Sequence, residues 1–313
     1  MTKIKKVIVF GGGGFLGSHV ADALSVKGYN VTVFDIKKSK FIKKNQKMIV
    51  GDILNEEEVN NAIKQNDIVY HFAGLADINE AKNKPVETVT SNILGTTNIL
   101  ESCKKNKVKR IIFASTIYVY SDLGSFYRSS KQACELIIEN YFQEFNLKYT
   151  ILRFGSLYGR RANEFNFIRN AISQALLEGK IDRKGNGSEI RDYIHVKDAA
   201  KASVEILSEK YNNAHIMIKG LQTIEVRELL LMINEIMGNN IEIKFFKKAQ
   251  YEGHYQLTPY SFRPRVAEKF VLDTYHDLGQ GLLDTIYDVY KKIHKKNPSL
   301  ISSKLNFSSK EKT

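Results

Sequence analysis

A mostly parallel α/β sheet wound on both faces, followed by a smaller mixed domain, is the fold class this sequence predicts. Three observations carry it. Short β-branched runs alternate with amphipathic helical stretches through the first half, four glycines follow the first run directly, and the alternation loosens past Gly159. Parallel neighbours need a crossover that returns to the same edge, so strand alternating with helix builds such a sheet.

In chain order, strands are expected at Val7 to Phe10, Val31 to Phe34, Met48 to Val50, Ile68 to Phe72, Ile111 to Ala114 and Tyr149 to Phe154, each a short apolar run bounded by turn residues. The gaps carry helical periodicity at Phe15 to Lys27, Glu56 to Lys64, Val89 to Lys105 and Tyr127 to Phe145. Later come a helical pattern from Phe165 to Gly179, a turn at Lys184-Gly185-Asn186-Gly187, an apolar run at Tyr193 to Val196, helices over Lys197 to Lys210 and Val226 to Met237, and a late amphipathic helix holding Tyr287 and Lys291. The expected division is a nucleotide-binding domain over 1–163, a substrate domain over 164–296 with segments returning to the first, and a Ser/Lys-rich flexible tail over 297–313.

Composition removes several classes of function. The 313 residues are 43% hydrophobic and 26% charged, so the chain can bury a core. Cys103 and Cys134 stand far apart with no Cys/His spacing, so neither a disulfide framework nor a metal site is expected. The apolar run after the basic Met1 to Lys6 is too short for a signal peptide, and no window is long enough to span a membrane. A cytoplasmic protein without a membrane partner is expected. The net charge of +13 is dispersed over lysine runs that read as solvated faces, and no nucleic-acid motif accompanies it, so no nucleic-acid partner is expected.

Gly11-Gly12-Gly13-Gly14-Phe15-Leu16-Gly17 sits between the first strand and the first helix. Gly11 permits a tight turn, Gly14 lets backbone approach a phosphate, and Gly17 lets helix pack on strand, while the helix N-terminus, with Phe15 and Leu16, offers N–H groups and partial positive charge. Asp35 ends the second strand, where a carboxylate accepts hydrogen bonds from ribose hydroxyls and repels an extra phosphate. Together these predict a Rossmann-type dinucleotide site for NAD(H), although Lys37 and Lys38 pull toward NADP. Asp52, before Ile53, either meets the adenine edge or is a turn acid.

The fifth strand runs into Ser115-Thr116, and Tyr127-Arg128-Ser129-Ser130-Lys131 opens a helix soon after. Residues four apart share a helical face, so the Lys131 ammonium is placed near the Tyr127 phenol and expected to lower its pKa. Tyr127 is then a proton acceptor, Thr116 orients the same substrate hydroxyl, and Lys131 also holds the nicotinamide ribose. Tyr287 and Lys291 repeat the spacing with no hydroxyl-bearing strand end before them and are read as surface residues. His71, at a strand end, is read as a structural histidine satisfied by backbone. The aromatic, basic stretch from His254 to Arg265, with Arg263, borders a sugar or base pocket or is a surface loop.

With those residues in view, the sequence resembles the extended short-chain dehydrogenase/reductases that modify nucleotide sugars, the NAD-dependent epimerase/dehydratase type. The likeness runs from Val7 to about Ala200. It includes Gly11 to Gly17, Asp35, Gly51-Asp52, His71-Phe72-Ala73-Gly74, Asn92 in Ser91-Asn92-Ile93-Leu94-Gly95-Thr96, Thr116 with Val119-Tyr120, Tyr127-x-x-x-Lys131, Arg153 to Gly159 and Gly185 to Tyr193. The resemblance implies a Thr116, Tyr127, Lys131 triad, with Arg191 on the sugar-nucleotide diphosphate; the expected cofactor contacts extend to Asp52, Ile53 and Ala73, and the expected substrate contacts are Thr116, Ser156, Arg191 and Arg263. It also implies a homodimer through the helices Val89 to Lys105 and Tyr127 to Phe145.

Departures narrow the expectation. Relatives that dehydrate their sugar carry an Asp-Glu pair just after the catalytic Thr, and here Ile117 and Tyr118 stand there, so 4,6-dehydration lacks its acid and base. Few residues separate Tyr120 from Tyr127, and Ser156 replaces the Asn usual in such enzymes, which points to an altered sugar pocket. The partner expected is a GDP- or UDP-linked sugar oxidised at C4. The function expected is a 4-dehydrogenase that releases the ketone, similar to bacterial capsule enzymes acting on a GDP-linked heptose; the alternative is re-reduction of the ketone, a 4-epimerase. A non-catalytic NAD-binding regulator is the remaining class.

Overall fold

The computed structural model of the protein describes residues 5–246 and 268–296. These fall into two compact units. One holds the residues up to Gly155, Val196–Lys219 and 268–274; the other holds Ser156–His195, 220–246 and 275–296.

The first unit opens with β1 (Lys6–Phe10), α1 (Phe15–Val26), β2 (Asn30–Asp35), β3 (Gln46–Val50), α2 (Glu56–Ile63) and β4 (Ile68–His71). It continues through α3 (Ile78–Asn83), α4 (Pro85–Val89), a π-helical turn (Thr90–Leu94), α5 (Gly95–Lys105), β5 (Arg110–Thr116), a 3₁₀ turn (Ile117–Tyr120), α6 (Ser125–Phe145) and β6 (Tyr149–Phe154). After an excursion into the second unit the chain returns with α8 (Val196–Glu205), β10 (Ala214–Ile218) and β13 (Glu268–Lys269). The second unit contains β7 (Ser156–Tyr158), α7 (Phe167–Glu178), β8 (Lys180–Lys184), β9 (Ile190–His195), β11 (Thr223–Glu225), α9 (Val226–Ile236), β12 (Glu242–Phe246) and α10 (Leu278–Lys296).

Eight strands form the sheet of the first unit in the order β13-β10-β6-β5-β4-β1-β2-β3, and every neighbouring pair is parallel. The doubly wound α/β expectation therefore holds. Val7 through Phe10 are fully buried because β1 lies mid-sheet with both faces covered, which is why the strand is a continuous apolar run rather than an alternating one. From β1 the chain moves outward to β2 and β3, then returns to lay β4 on the other side of β1. That reversal makes β1 and β4 a topological switch point, and the loops at the carboxyl ends of such strands are where α/β sheets bind ligands.

Three features of the first unit depart from the sequence reading. The helix expected over Val89 to Lys105 is α4, the π-helical turn and α5, with Pro85 at the start of α4. A one-residue widening of the helix barely changes hydrophobic spacing, so periodicity could not show it. Val196 opens α8 instead of closing the preceding strand, and the 3₁₀ turn Glu209–Tyr211 breaks the helix read through Lys210. β10 was not expected at all: its run His215-Ile216-Met217-Ile218 is too short for periodicity to choose strand or helix, and pairing with β6 decides it.

The second unit has its own core, in which Ile168, Ile172 and Leu176 of α7 meet Leu229, Leu230 and Ile233 of α9 and Leu282, Ile286 and Val289 of α10. Two small sheets flank it, β11-β9-β7 and β12-β8. Among the described residues no helix is long and apolar enough to cross a membrane.

Candidate active site

The glycine loop is shaped by backbone contact. Gly11 has φ +73° and donates its N–H to Phe34 O at 2.9 Å; a Cβ there would lie 2.5 Å from Ala73 N. A Cβ on Gly17 would lie 2.2 Å from Gly11 O, so only glycine lets α1 pack this closely on the turn. Gly14, the N-cap of α1, is exposed, makes no side-chain cap bond, and is followed by no acid in the first turn, where Phe15 and Leu16 are half-buried. The N–H groups and partial positive charge of this helix end are left for an outside anion. Asp35 accepts the Gly13 N–H through Oδ2 at 2.9 Å, while its Oδ1 takes no bond among the described residues. A glycine turn at an uncapped helix end, beside a carboxylate with a spare acceptor, is compatible with NAD, the cofactor of the family that the sequence resembles. Lys37 and Lys38 are exposed.

Thr116, Tyr127 and Lys131 are brought together at the carboxyl end of β5. Thr116 ends the strand and caps the 3₁₀ turn, accepting the Tyr118 N–H at 3.2 Å, and its hydroxyl is close enough to the Tyr127 phenol to favour the phenolate. α6 begins at Ser125, two residues before the expected start, because Gly124 at φ +104° redirects the chain into the helix. The Lys131 ammonium, buried, donates to Ala114 O at 2.9 Å and lies 4.6 Å from the centre of the Phe113 ring. Burial lowers its pKa, and Cys134 and Glu135 act in the opposite direction.

The Tyr127 phenol is not lowered as the sequence spacing suggested. Part of its surface is open, yet protein surrounds the hydroxyl densely enough for desolvation to push it up to about 12, with the Thr116 hydroxyl acting against that rise. The i,i+4 spacing put Lys131 on the right face, but the end of β5 directs its ammonium to the strand's carbonyl and ring.

Behind the triad, Asn92 in the π-helical turn holds three elements. Its Oδ1 accepts Leu75 N–H at 2.7 Å and its Nδ2 donates to Leu75 O and Ser130 Oγ, both at 2.9 Å, so the loop after β4 is fixed to the helix bearing Tyr127. His71 is not satisfied by backbone. Thr96 donates its hydroxyl to Asn92 O at 2.5 Å and so accepts from His71 Nε2 at 2.9 Å. His71 Nδ1 is buried with no partner among the described residues. Burial first, then the Lys131 charge, lowers the His71 pKa to about 3, so the ring is neutral.

The remaining expected contacts separate. Asp52 is engaged in its own turn, accepting the Leu54 N–H at 2.9 Å and donating its own N–H to Glu58 at 2.8 Å, and Ile53 is buried. Ala73 lies against Gly11. Ser156 starts β7 and pairs with Tyr193, and Arg191 is buried in β9, both inside the second unit. Arg263, with the rest of the His254 to Arg265 stretch, lies outside the described residues. Sequence reasoning gave no site role to Asn92, Glu135 or Arg153. The available signal was Glu135 one turn beyond Lys131, an acid on the inward face of a helix and therefore in need of a buried cation.

A mostly parallel sheet with a glycine turn at its switch point and a Thr, Tyr, Lys cluster at a strand end defines a nucleotide-binding oxidoreductase class. Residues 7–218 match the NAD dependent epimerase/dehydratase family, and the chain belongs to it. It is 28% identical over 313 aligned positions to the UDP-N-acetyl-alpha-D-glucosaminuronate decarboxylase of Bacillus cytotoxicus, covering 90% of this chain and 97% of that protein. It is 30% identical to the UDP-glucose 4-epimerase of Haemophilus influenzae, over 76% of this chain and 84% of the relative. Among solved structures, the UDP-glucose 4-epimerase of Thermotoga maritima with UDP-glucose superposes with a TM-score of 0.79 at 26% identity, over 92% of this chain and 99% of that one.

Proposed function

We propose that the protein is a C4 oxidoreductase of UDP-linked sugars that returns the hydride to the ketone it forms, a 4-epimerase. The observation that carries this reading is the gathering of the Thr116 hydroxyl, the Tyr127 phenol and the buried Lys131 ammonium, held by Ala114 O, at the end of β5. Thr116 orients the C4 hydroxyl, and Tyr127 exchanges its proton. Held protonated, the phenol is the proton donor of the reductive half-reaction. Its conjugate base takes the sugar proton in the oxidative half, when positive charge lies close to it. NAD, when bound, supplies the hydride acceptor and a ring charge that favours the phenolate. The glycine turn, Asp35 and Lys131 hold that cofactor, and Arg191 meets the diphosphate with a planar fork suited to phosphate oxygens. Ile117 and Tyr118 leave no acid or base for loss of water.

A released ketone, the 4-dehydrogenase reading with a GDP-linked heptose and a role in capsule synthesis, draws on one observation. Only Ser121 to Gly124 join the 3₁₀ turn to α6, and this short link is strapped by Arg128 to Ser121 O at 2.7 Å and by Gln132 to Val119 O at 2.8 Å. A homodimer and a cytoplasmic location accompany either reading. The test is mass spectrometry of UDP- and GDP-sugars, including heptoses and UDP-glucuronic acid, after incubation with the protein and NAD. An isomer of unchanged mass supports the epimerase. Loss of two hydrogens with NADH appearing supports the dehydrogenase. Loss of carbon dioxide would show that oxidation at C4 has produced a β-keto acid that decarboxylates, as the decarboxylase relative's activity suggests. No change in any sugar would overturn the enzymatic reading.

A further inference from the structure

Behind the triad lies a buried ion pair that the proposed chemistry does not use. Arg153 of β6 meets Glu135 of α6 through two parallel hydrogen bonds, Nε to Oε1 at 3.0 Å and Nη2 to Oε2 at 2.6 Å, and both side chains are almost wholly buried. Ser115, the neighbour of Thr116 in β5, donates to Glu135 Oε1 at 2.5 Å. The third guanidinium nitrogen, Nη1, donates to the Tyr120 hydroxyl at 2.5 Å, with the Tyr120 ring 4.8 Å from the guanidinium carbon. On the far side Arg153 Nη2 donates to His215 Nδ1 at 2.9 Å, which makes His215 an acceptor there, and its Nε2 lies 2.8 Å from Glu139.

A buried ion pair is poor value for stability, because the desolvation of two charges offsets most of their attraction. Its geometry is specific in a way an apolar pair is not. One guanidinium fork touches α6 one turn beyond Lys131 and two turns beyond Tyr127, and the Tyr120 end of the turn that Thr116 caps. Through Glu135 it also reaches the residue before Thr116. We propose that Arg153 and Glu135 are positioning residues, a buried fork that sets the distance between the strand end carrying Thr116 and the helix carrying Tyr127 and Lys131. The inference rests on the catalytic reading for its kinetic consequence and on the geometry alone for its structural one.

The charge of Glu135 has a second effect. Lys131 faces His71 of β4, and Cys134 and Glu135 of its own helix, and Glu135 favours its cationic form. Around Glu135 stand Arg153 of β6, His215 of β10 and Glu139 of α6. Replacing Glu135 by Gln removes the carboxylate that favours the Lys131 ammonium and leaves Arg153 as uncompensated positive charge, which disfavours that ammonium.

The experiment compares wild type, the paired apolar variant Glu135→Leu/Arg153→Met, Glu135→Gln and Tyr120→Phe. The apolar pair is expected to fold with a Tm at or above wild type, since it removes two buried charges without leaving one unpaired. Its kcat is expected to fall at least tenfold with the sugar KM within about threefold, because the uniform binding contacts are untouched. Tyr120→Phe, which keeps the ring and loses one bond, should fall between. Glu135→Gln should move the alkaline limb of the kcat profile to lower pH. Hydrogen exchange reads the tether without any substrate: backbone amides of Thr116 to Tyr120 and of the Tyr127 to Glu135 turns should exchange faster in the apolar pair while the rest of the sheet does not. Wild-type kcat in the folded apolar pair, or unchanged exchange in those segments, overturns the proposal. If wild type turns over no sugar, the catalytic reading fails by itself and the exchange result still decides the tether.

Discussion

Among the described residues two helices carry tyrosine and lysine four residues apart, and they do different things with the same spacing. In α6, the Tyr127 phenol is close to the Thr116 hydroxyl and Lys131 is buried against Ala114 O and the Phe113 ring. In α10, the Tyr287 side chain is about half exposed and the Lys291 ammonium lies 4.3 Å from the centre of the tyrosine's own ring. The spacing alone produces the second arrangement, a cation folded onto its i−4 neighbour at the surface. What turns the first into a candidate site is β5, which places a hydroxyl near the phenol and offers a carbonyl to the buried ammonium.

The largest test of that contrast is removal of the hydroxyls. Tyr127→Phe should lower kcat by ~10²–10⁴-fold, the range for loss of a positioned acid–base group, and Tyr287→Phe should leave it unchanged. Equal effects of the two variants, read in the same sugar assay, would remove α6 from the chemistry. Lysine substitution separates function from stability. Lys131→Met should depress kcat by ~10²-fold while Tm holds or rises, because a buried cation with a burial-lowered pKa is costly to keep. Lys291→Met should change neither. A large loss of Tm in Lys131→Met would instead make the lysine a structural anchor of β5.

The smallest effect probes how dry the site is. His71 titrates at about 3 in the folded protein against an ordinary value of 6.5, so between those values the unfolded chain binds one more proton. Stability from this group is therefore present above pH 6.5 and is lost as pH falls toward 3, by about 1.4 kcal/mol per pH unit at most. Urea unfolding of wild type and His71→Gln across pH 4 to 7 should show the wild-type slope steeper by about one proton. Because burial outranks the Lys131 charge as the cause, most of that excess slope should survive in Lys131→Met.

Much of this was legible in the sequence. A run of glycines between an apolar strand and a helix can pack in few ways, and the structure closes Gly11 and Gly17 onto backbone as those positions required. Tyr127 and Lys131 were separable from Tyr287 and Lys291 because only the former follow a strand ending in hydroxyls. The π-helical turn was not legible, since the register it changes is smaller than the tolerance of a hydrophobic pattern, and with it went the role of Asn92 in joining the loop after β4 to α6. β10 escaped for a related reason, a short run whose state depends on the strand it meets.

By itself the sequence determined most of the strands and helices up to Phe154, where the glycine turn falls and which hydroxyl, phenol and amine sit at one strand end. These follow from local rules: side-chain period, turn chemistry and helical spacing. Only the tertiary structure decided the electrostatics of that end. The Tyr127 phenol is raised rather than lowered, Lys131 turns to Ala114 O, and Arg153 reaches Glu135, Tyr120 and His215 at once. Desolvation and hydrogen-bond partners come from residues distant in the chain, and no local pattern encodes them.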